Sequence, residues 1–177
     1  MFSKYIFTAV VVLCAITSCT KKKEFVPDPY LGPMMTVYHM ETLYTDSSRL
    51  KIKVQAPKEF DYQNGDKEFP KGIDMEFYDL KTKKKTSTLT GNHARYVKEK
   101  DHYVVTGNVV VKSLEENKKL SSEELIWKPA EEKITSDKFV RIETPCEILT
   151  GDGMIASEDF TTYKILKPSA NIFLDCE

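Results

Sequence analysis

An all-β fold is what the sequence predicts, on three observations. Apolar and polar residues alternate in several short segments, turn-forming clusters break the chain at about ten-residue intervals, and no window carries a long helical stripe. From Arg49 to Ala56 the alternation is strict, with Leu50, Ile52, Val54 and Ala56 on one side and Arg49, Lys51, Lys53 and Gln55 on the other. Successive side chains of an extended chain point to opposite faces, so this is a half-buried strand. Ile73, Met75 and Phe77 repeat the device against Asp74, Glu76 and Tyr78. Tyr103, Val105, Val109 and Val111 do so against Thr106, Asn108 and Lys112. Between these runs stand Gln63-Asn64-Gly65-Asp66, Asp79 to Lys85, Glu115 to Lys118 and Lys128 to Glu132, each rich in residues that favour turns. Short strands at this spacing make a sandwich, a barrel or a jelly roll.

Composition narrows the class further. Of 177 residues 41% are hydrophobic and 30% charged, with only 7 Gly and 8 Pro, which is globular and excludes collagen, coiled coil and extended disorder. The 26 basic and 27 acidic side chains nearly cancel, to a net charge of -1. A protein that binds a polyanion ordinarily carries a basic excess, so nucleic acid is not an expected partner.

The first residues read as an address and an anchor. One positive charge, Lys4, precedes an apolar run from Tyr5 to Ile16, followed by Thr17 and Ser18. That is the pattern of a secretory signal, and the run falls short of the about 20 residues that a membrane span requires. Ile16-Thr17-Ser18-Cys19 resembles a bacterial lipobox, in which the cysteine thiol is acylated and the chain is cut before it. Cys14, preceded by the bulky Leu13, fits poorly. The expected organisation is a lipoprotein signal peptide over 1–18, a lipidated tether over 19–34 and a β domain over 35–177. Acyl chains at about 0.8 kcal/mol per buried CH₂ hold a protein on a membrane when two or more are present. Lys21, Lys22 and Lys23, beside Cys19, suit either anionic head groups or a plain solubilising spacer.

A period of 31 residues runs through the second half. Gly91, Ser122 and Gly153 begin three units, Ala94, Leu125 and Ala156 follow, Tyr96 matches Trp127, and Val111, Ile142 and Phe173 close them. Each unit reads as one hairpin, and hairpins that bury a face on their neighbours build an elongated layer with open ends. The third unit is degraded: Glu158 stands where an aromatic is due. The same period places the counterpart of Cys146 at 177, which argues against a Cys146–Cys176 disulfide, although a β-bulge would reverse that parity. No CxxC pair or Cys/His cluster offers a metal site, no cofactor is expected, and His39, His93 and His102 are scattered.

An ordered series then carries a resemblance. Ala94-Arg95-Tyr96, Thr106-Gly107-Asn108-Val109-Val110-Val111, Leu120 to Trp127, Ile134-Thr135-Ser136-Asp137 with Val140-Arg141-Ile142, and Leu149 to Met154 together resemble the LptC family. The resemblance spans about residues 35 to 174 and is strongest from Gly91 to Ala156. It implies a jelly-roll-like antiparallel layer, the OstA-like fold, open at both ends. It also implies a non-enzymatic, membrane-anchored carrier in the periplasm. Such a protein receives lipopolysaccharide from an inner-membrane exporter of the LptB, LptF and LptG type and passes it to an LptA-like bridge protein. Family members keep an uncleaved N-terminal membrane helix, which acyl chains on Cys19 would replace here.

On this resemblance the lipid-lining candidates are Leu50, Ile52, Val54, Ile73, Met75, Phe77, Tyr96, Val105, Val109, Val111, Leu125, Trp127, Val140 and Ile142. The residues by themselves read more simply as a plain sandwich core, since inward strand faces are apolar in every β protein. Unpaired strands invite another chain's strand. Gly151, Gly153, Met154, Ala156, Ile172 and Leu174 are the candidates for the C-terminal partner edge. A lysine-rich turn, Lys81 to Lys85, could meet lipid phosphates but reads more simply as a solvated hairpin tip. The alternative function is a generic envelope lipoprotein with a carbohydrate- or protein-binding β sandwich. An enzyme is not expected, because no nucleophile elbow, paired carboxylates or metal motif is present.

Overall fold

The computed structural model describes residue 28 and residues 30–174. The expected signal peptide, the lipobox at Cys19, most of the tether and Cys176 lie outside the described residues. The chain divides into two compact units, Met1–Tyr30 and Leu31–Glu177, and every described strand belongs to the second.

These strands are β1 (Met35–Asp46), β2 (Arg49–Asp61), β3 (Lys67–Phe69), β4 (Ile73–Tyr78), β5 (Lys85–Gly91), β6 (His93–Val97), β7 (His102–Ser113), β8 (Lys118–Lys128), β9 (Lys133–Glu143), β10 (Glu147–Ser157) and β11 (Tyr163–Phe173). All pair antiparallel in one sheet. The expected all-β, jelly-roll-like class is what the structure shows. β3 and β4 are two halves of one extended run, since β3 pairs with the end of β2 and β4 with its start. In the same way β6 pairs with the first half of β7 and β5 with the second. The sheet is therefore a simple meander of long strands, each hydrogen-bonded to the next in sequence.

A crease crosses all of them near their middles. In β1 and β2 it falls at His39 (φ 54°) and Pro57, where proline has no N–H to give and the paired ladder skips from Tyr38↔Lys58 to Met40↔Ala56. The next two runs break at Gly72 and at Gly91-Asn92. β7 bulges at Gly107-Asn108, both at positive φ (74° and 49°), and its register against β8 shifts there. β8, β9, β10 and β11 shift register between Ser122 and Ile126, Asp152 and Met154, and Thr150 and Gly151. Serines satisfy the backbone groups that the bulges free. Ser122 Oγ lies 2.9 Å from the Phe139 carbonyl, and Ser136 Oγ donates to the Glu124 carbonyl at 2.8 Å while accepting from the Lys138 N–H.

The 31-residue period is the spacing of this crease and of the hairpin ends beyond it. Gly91, Ser122 and Gly153 lie on the crease. The turns that close the first two units are short 3-10 helices, Lys98–Lys100 and Pro129–Glu131, each ended by a left-handed residue, Asp101 or Glu132. The third turn departs, with Phe160 at positive φ instead.

Folding at the crease gives two arms with their apolar faces together. One arm holds the start of β2, β4, β5 and the ends of β7 and β9. The other holds the end of β2, β3, β6, the first half of β7 and the second half of β8. Their common core is buried, each large side chain contributing about 1.5–3 kcal/mol. Cys146 is disulfide-bonded. The Leu174 N–H donates to the Cys146 carbonyl at 2.8 Å.

Candidate lipid-binding interior and sheet edges

Twelve of the fourteen lining candidates are buried between the arms: Ile52, Val54, Ile73, Met75, Phe77, Val105, Val109, Val111, Leu125, Trp127, Val140 and Ile142. Leu50 and Tyr96 are half-buried. Phe69, Leu89, Ala94, Tyr103, Leu120, Ile134, Met154 and Phe160 join them. Of these, Leu89 and Phe69 gave little sequence signal, because Leu89 stands among threonines and Phe69 among charges.

The two arms meet through rings. Trp127 stacks on Tyr103 at 5.0 Å between centroids and receives Phe77 of the opposite arm edge-on at 5.8 Å. Tyr103 also stacks on Phe69 at 6.1 Å and lies 4.9 Å from Tyr96. Its hydroxyl is 2.7 Å from that of Tyr44, across the arms. Burial, with Tyr44 beside it, pushes the Tyr103 phenol far above its ordinary range, so it stays neutral. Tyr96 is raised to about 12, chiefly by its hydrogen bond to Asp101.

Charge is confined to the rim. Glu59 is buried and its carboxyl is pushed up by burial, although Lys67 holds it at 2.5 Å. Lys51 loses something to burial, but Glu132 and Glu158 outweigh this and hold its ammonium above the ordinary value. Glu158 also accepts the Trp127 indole N–H at 3.3 Å. It is the site residue that sequence reasoning set aside, and the broken repeat was its signal.

The partner-edge candidates fall on two neighbouring parts of the sheet. Gly151, Gly153, Met154 and Ala156 belong to β10, which is paired on both sides, with β9 and β11, and three of them are buried with Met154 in the core. Among the described residues the edge strand at this end is β11, with Ile172 exposed, Phe173 78% exposed and Leu174 exposed just beyond it. At the other end β1 pairs, among the described residues, only with β2 and exposes Met35, Tyr38 and Leu43. The Lys81–Lys85 turn is built by Asp79, whose carboxylate accepts from the Lys81 and Thr82 N–H groups at 3.1 and 2.6 Å. Among the described residues no cluster could hold a metal ion, and no helix is long and apolar enough to cross a membrane.

A protein-family model described as lipopolysaccharide-assembly, LptC-related, matches residues 7–168, most of the chain. The chain belongs to the LptC family. Membership gives it a role in lipopolysaccharide transport in the periplasmic part of the envelope, within a family of transport bridge components. No curated protein matches the sequence significantly.

Proposed function

We propose that this chain is a lipid-anchored periplasmic carrier that takes lipopolysaccharide from an LptB/LptF/LptG-type exporter and hands it to an LptA-like bridge protein. Residues 1–18 act as signal peptide, acylated Cys19 holds the protein at the inner membrane, 19–34 form the tether and 35–177 the carrier domain. Apolar surface costs about 25 cal/mol per Å² in water, so a glycolipid's acyl chains need a covered path. The observation that carries the reading is the continuous apolar inner face that runs from β2 through β10 between two strands, β1 and β11, that each have one neighbour among the described residues. Those edges, β1 toward the exporter and β11 with Ile172 and Leu174 toward the next bridge protein, can each accept a partner's strand. The carrier does no chemistry and returns its ligand intact.

In-cell photo-crosslinking tests this. A probe at Val109 or Val111, both buried inward, is expected to yield lipopolysaccharide adducts, whereas one at Asn108 or Lys112, both exposed, is not. Adducts at neither pair, in a protein shown to be folded and membrane-bound, would leave a closed core and favour a generic envelope lipoprotein.

A further inference from the structure

The side of the folded sheet opposite the crease is where the arms' free ends face each other. On one arm these ends are the start of β2 and the 79–84 and 114–117 turns; on the other they are the 129–132 and 158–162 turns. Among the described ion pairs, those of Lys51 alone join the two sets. Its Nζ contacts Glu132 and lies 2.8 Å from Glu158 Oε1. The other carboxylate oxygen of Glu158 takes the indole N–H of Trp127, and the Glu158 N–H donates to the Glu132 carbonyl at 3.0 Å. Immediately outside lies a cleft of about 340 Å³ bounded by Lys51, Phe77, Leu80, Glu132 and Glu158. Phe77 and Glu158 are also direct neighbours of Trp127. One ring and one carboxylate thus separate the cleft from the core.

The repeat explains how this arose. Tyr96, Trp127 and position 158 are equivalent in the three hairpins, and the third unit has a carboxylate where the others place a ring. A ring at 158 would continue the aromatic stack and seal the mouth permanently. A carboxylate seals it through an ion pair and one hydrogen bond, both of which can be exchanged for contacts with water.

We propose that Lys51, Glu132 and Glu158 form a clasp that gates the mouth opposite the crease, and that this mouth is the portal by which an acyl chain passes between the arms. The proposal rests on the carrier reading above. Removing the clasp lets the arms part more often without changing the crease, so the interior is reached faster. Trp127 is the chain's single tryptophan and reports the opening directly.

The test uses the full-length chain as Lys51→Met, as Glu158→Gln and as the exchanged pair Lys51→Glu/Glu158→Lys, which keeps opposite charges across the mouth. Without lipid, acrylamide quenching of Trp127 should rise several-fold in both single variants and return toward the wild-type level in the exchanged pair. With a photoprobe at Val111 in cells, lipopolysaccharide adducts at short times should rise several-fold in the single variants and fall back in the exchanged pair. Thermal melts show that each variant is folded, and the exchanged pair separates gating from simple loss of stability. Quenching unchanged in both single variants overturns the clasp. Increased quenching with wild-type adduct yields overturns the portal but leaves the carrier reading standing. Adducts at Val111 in no variant overturn the carrier reading while the quenching result still decides the clasp.

Discussion

The two arms of the sheet solve the same burial problem with different side chains. The arm holding β4, β5 and the second half of β7 is aliphatic inside: Ile52, Val54, Met75, Leu89, Val109 and Val111, with Phe77 its only buried ring. The arm holding β3, β6 and the second half of β8 is aromatic: Phe69, Tyr103 and Trp127 stand in one stack, with Tyr96 beside it. The ring stack reaches across to Phe77 and Tyr44. The aromatic arm therefore carries most of the directional contact between the arms, and the aliphatic arm supplies a smooth wall.

Truncating the stack is the most direct way to break this division. Trp127→Ala should cost about 3–5 kcal/mol, the range for a buried large ring, read as a lower urea midpoint at unchanged slope. Leu89→Ala, fully buried in the opposite arm, should cost about 2–5 kcal/mol. The comparison is in where the loss appears. Amide exchange should accelerate in both arms for Trp127→Ala, and chiefly in β4, β5 and β7 for Leu89→Ala. Equal spreading in both variants would show that the arms are coupled through the crease rather than through the rings.

How much of this was readable in the sequence follows the same division. The aliphatic arm announces itself, because Leu50 to Ala56 and Ile73 to Phe77 alternate without interruption and β-branched residues mark extended backbone. The aromatic arm does not. Phe69 sits in a three-residue strand, and the inward parity of β8 changes at the crease, from Leu120 and Ser122 to Leu125 and Trp127. A period-two reading fails at each bulge, while the 31-residue period survives because every hairpin crosses the crease once. The place of Gly151 to Ala156 in the sheet was hidden for a related reason. Gly151 to Ala156 looks like a strand end because of its glycines, but they are there to let β11 approach closely. The clasp was visible only as a defect, Glu158 in an aromatic column, and nothing in the sequence pairs it with Lys51, over a hundred residues earlier.

The crease offers a second way to separate the regions. A Cβ on Gly151 would lie 2.4 Å from the Lys167 carbonyl oxygen and 2.9 Å from the Pro168 Cα, both backbone atoms of β11. Gly151→Ala should therefore force β11 away from β10 at about 1–3 kcal/mol, the usual range for overpacking. Because β11 pairs with nothing else among the described residues, the damage should stay local. Exchange protection should fall along Tyr163–Phe173 while β2 and β4 keep theirs. Loss of protection throughout would mean that the free edge supports the fold itself.

The smallest effect tests the rim of the aromatic arm through pH. Asp66 is nearly buried beside the turn at Gly65, and its carboxylate accepts the Lys98 N–H at 3.0 Å and the Arg95 guanidinium at 2.7 Å. These contacts, the backbone one first, hold its carboxyl below the ordinary range. The folded value thus lies below the unfolded one of about 3.9. The stabilisation is complete above that unfolded value and is lost as pH falls through the folded one. Asp66→Asn keeps an acceptor but removes the charge, so it should cost about 1–2 kcal/mol at pH 7, and the gap from wild type should close in acid. Glu59, in the same arm, has the opposite sign: burial raises its carboxyl, so its contribution improves as the solution is acidified through the interval above its unfolded value. Urea midpoints across that range would resolve the two carboxylates. An Asp66→Asn gap that persists undiminished in acid would assign Asp66 a purely steric role in the turn and leave the acid sensitivity of this arm to Glu68, which His93 and Tyr62 hold down in the same direction.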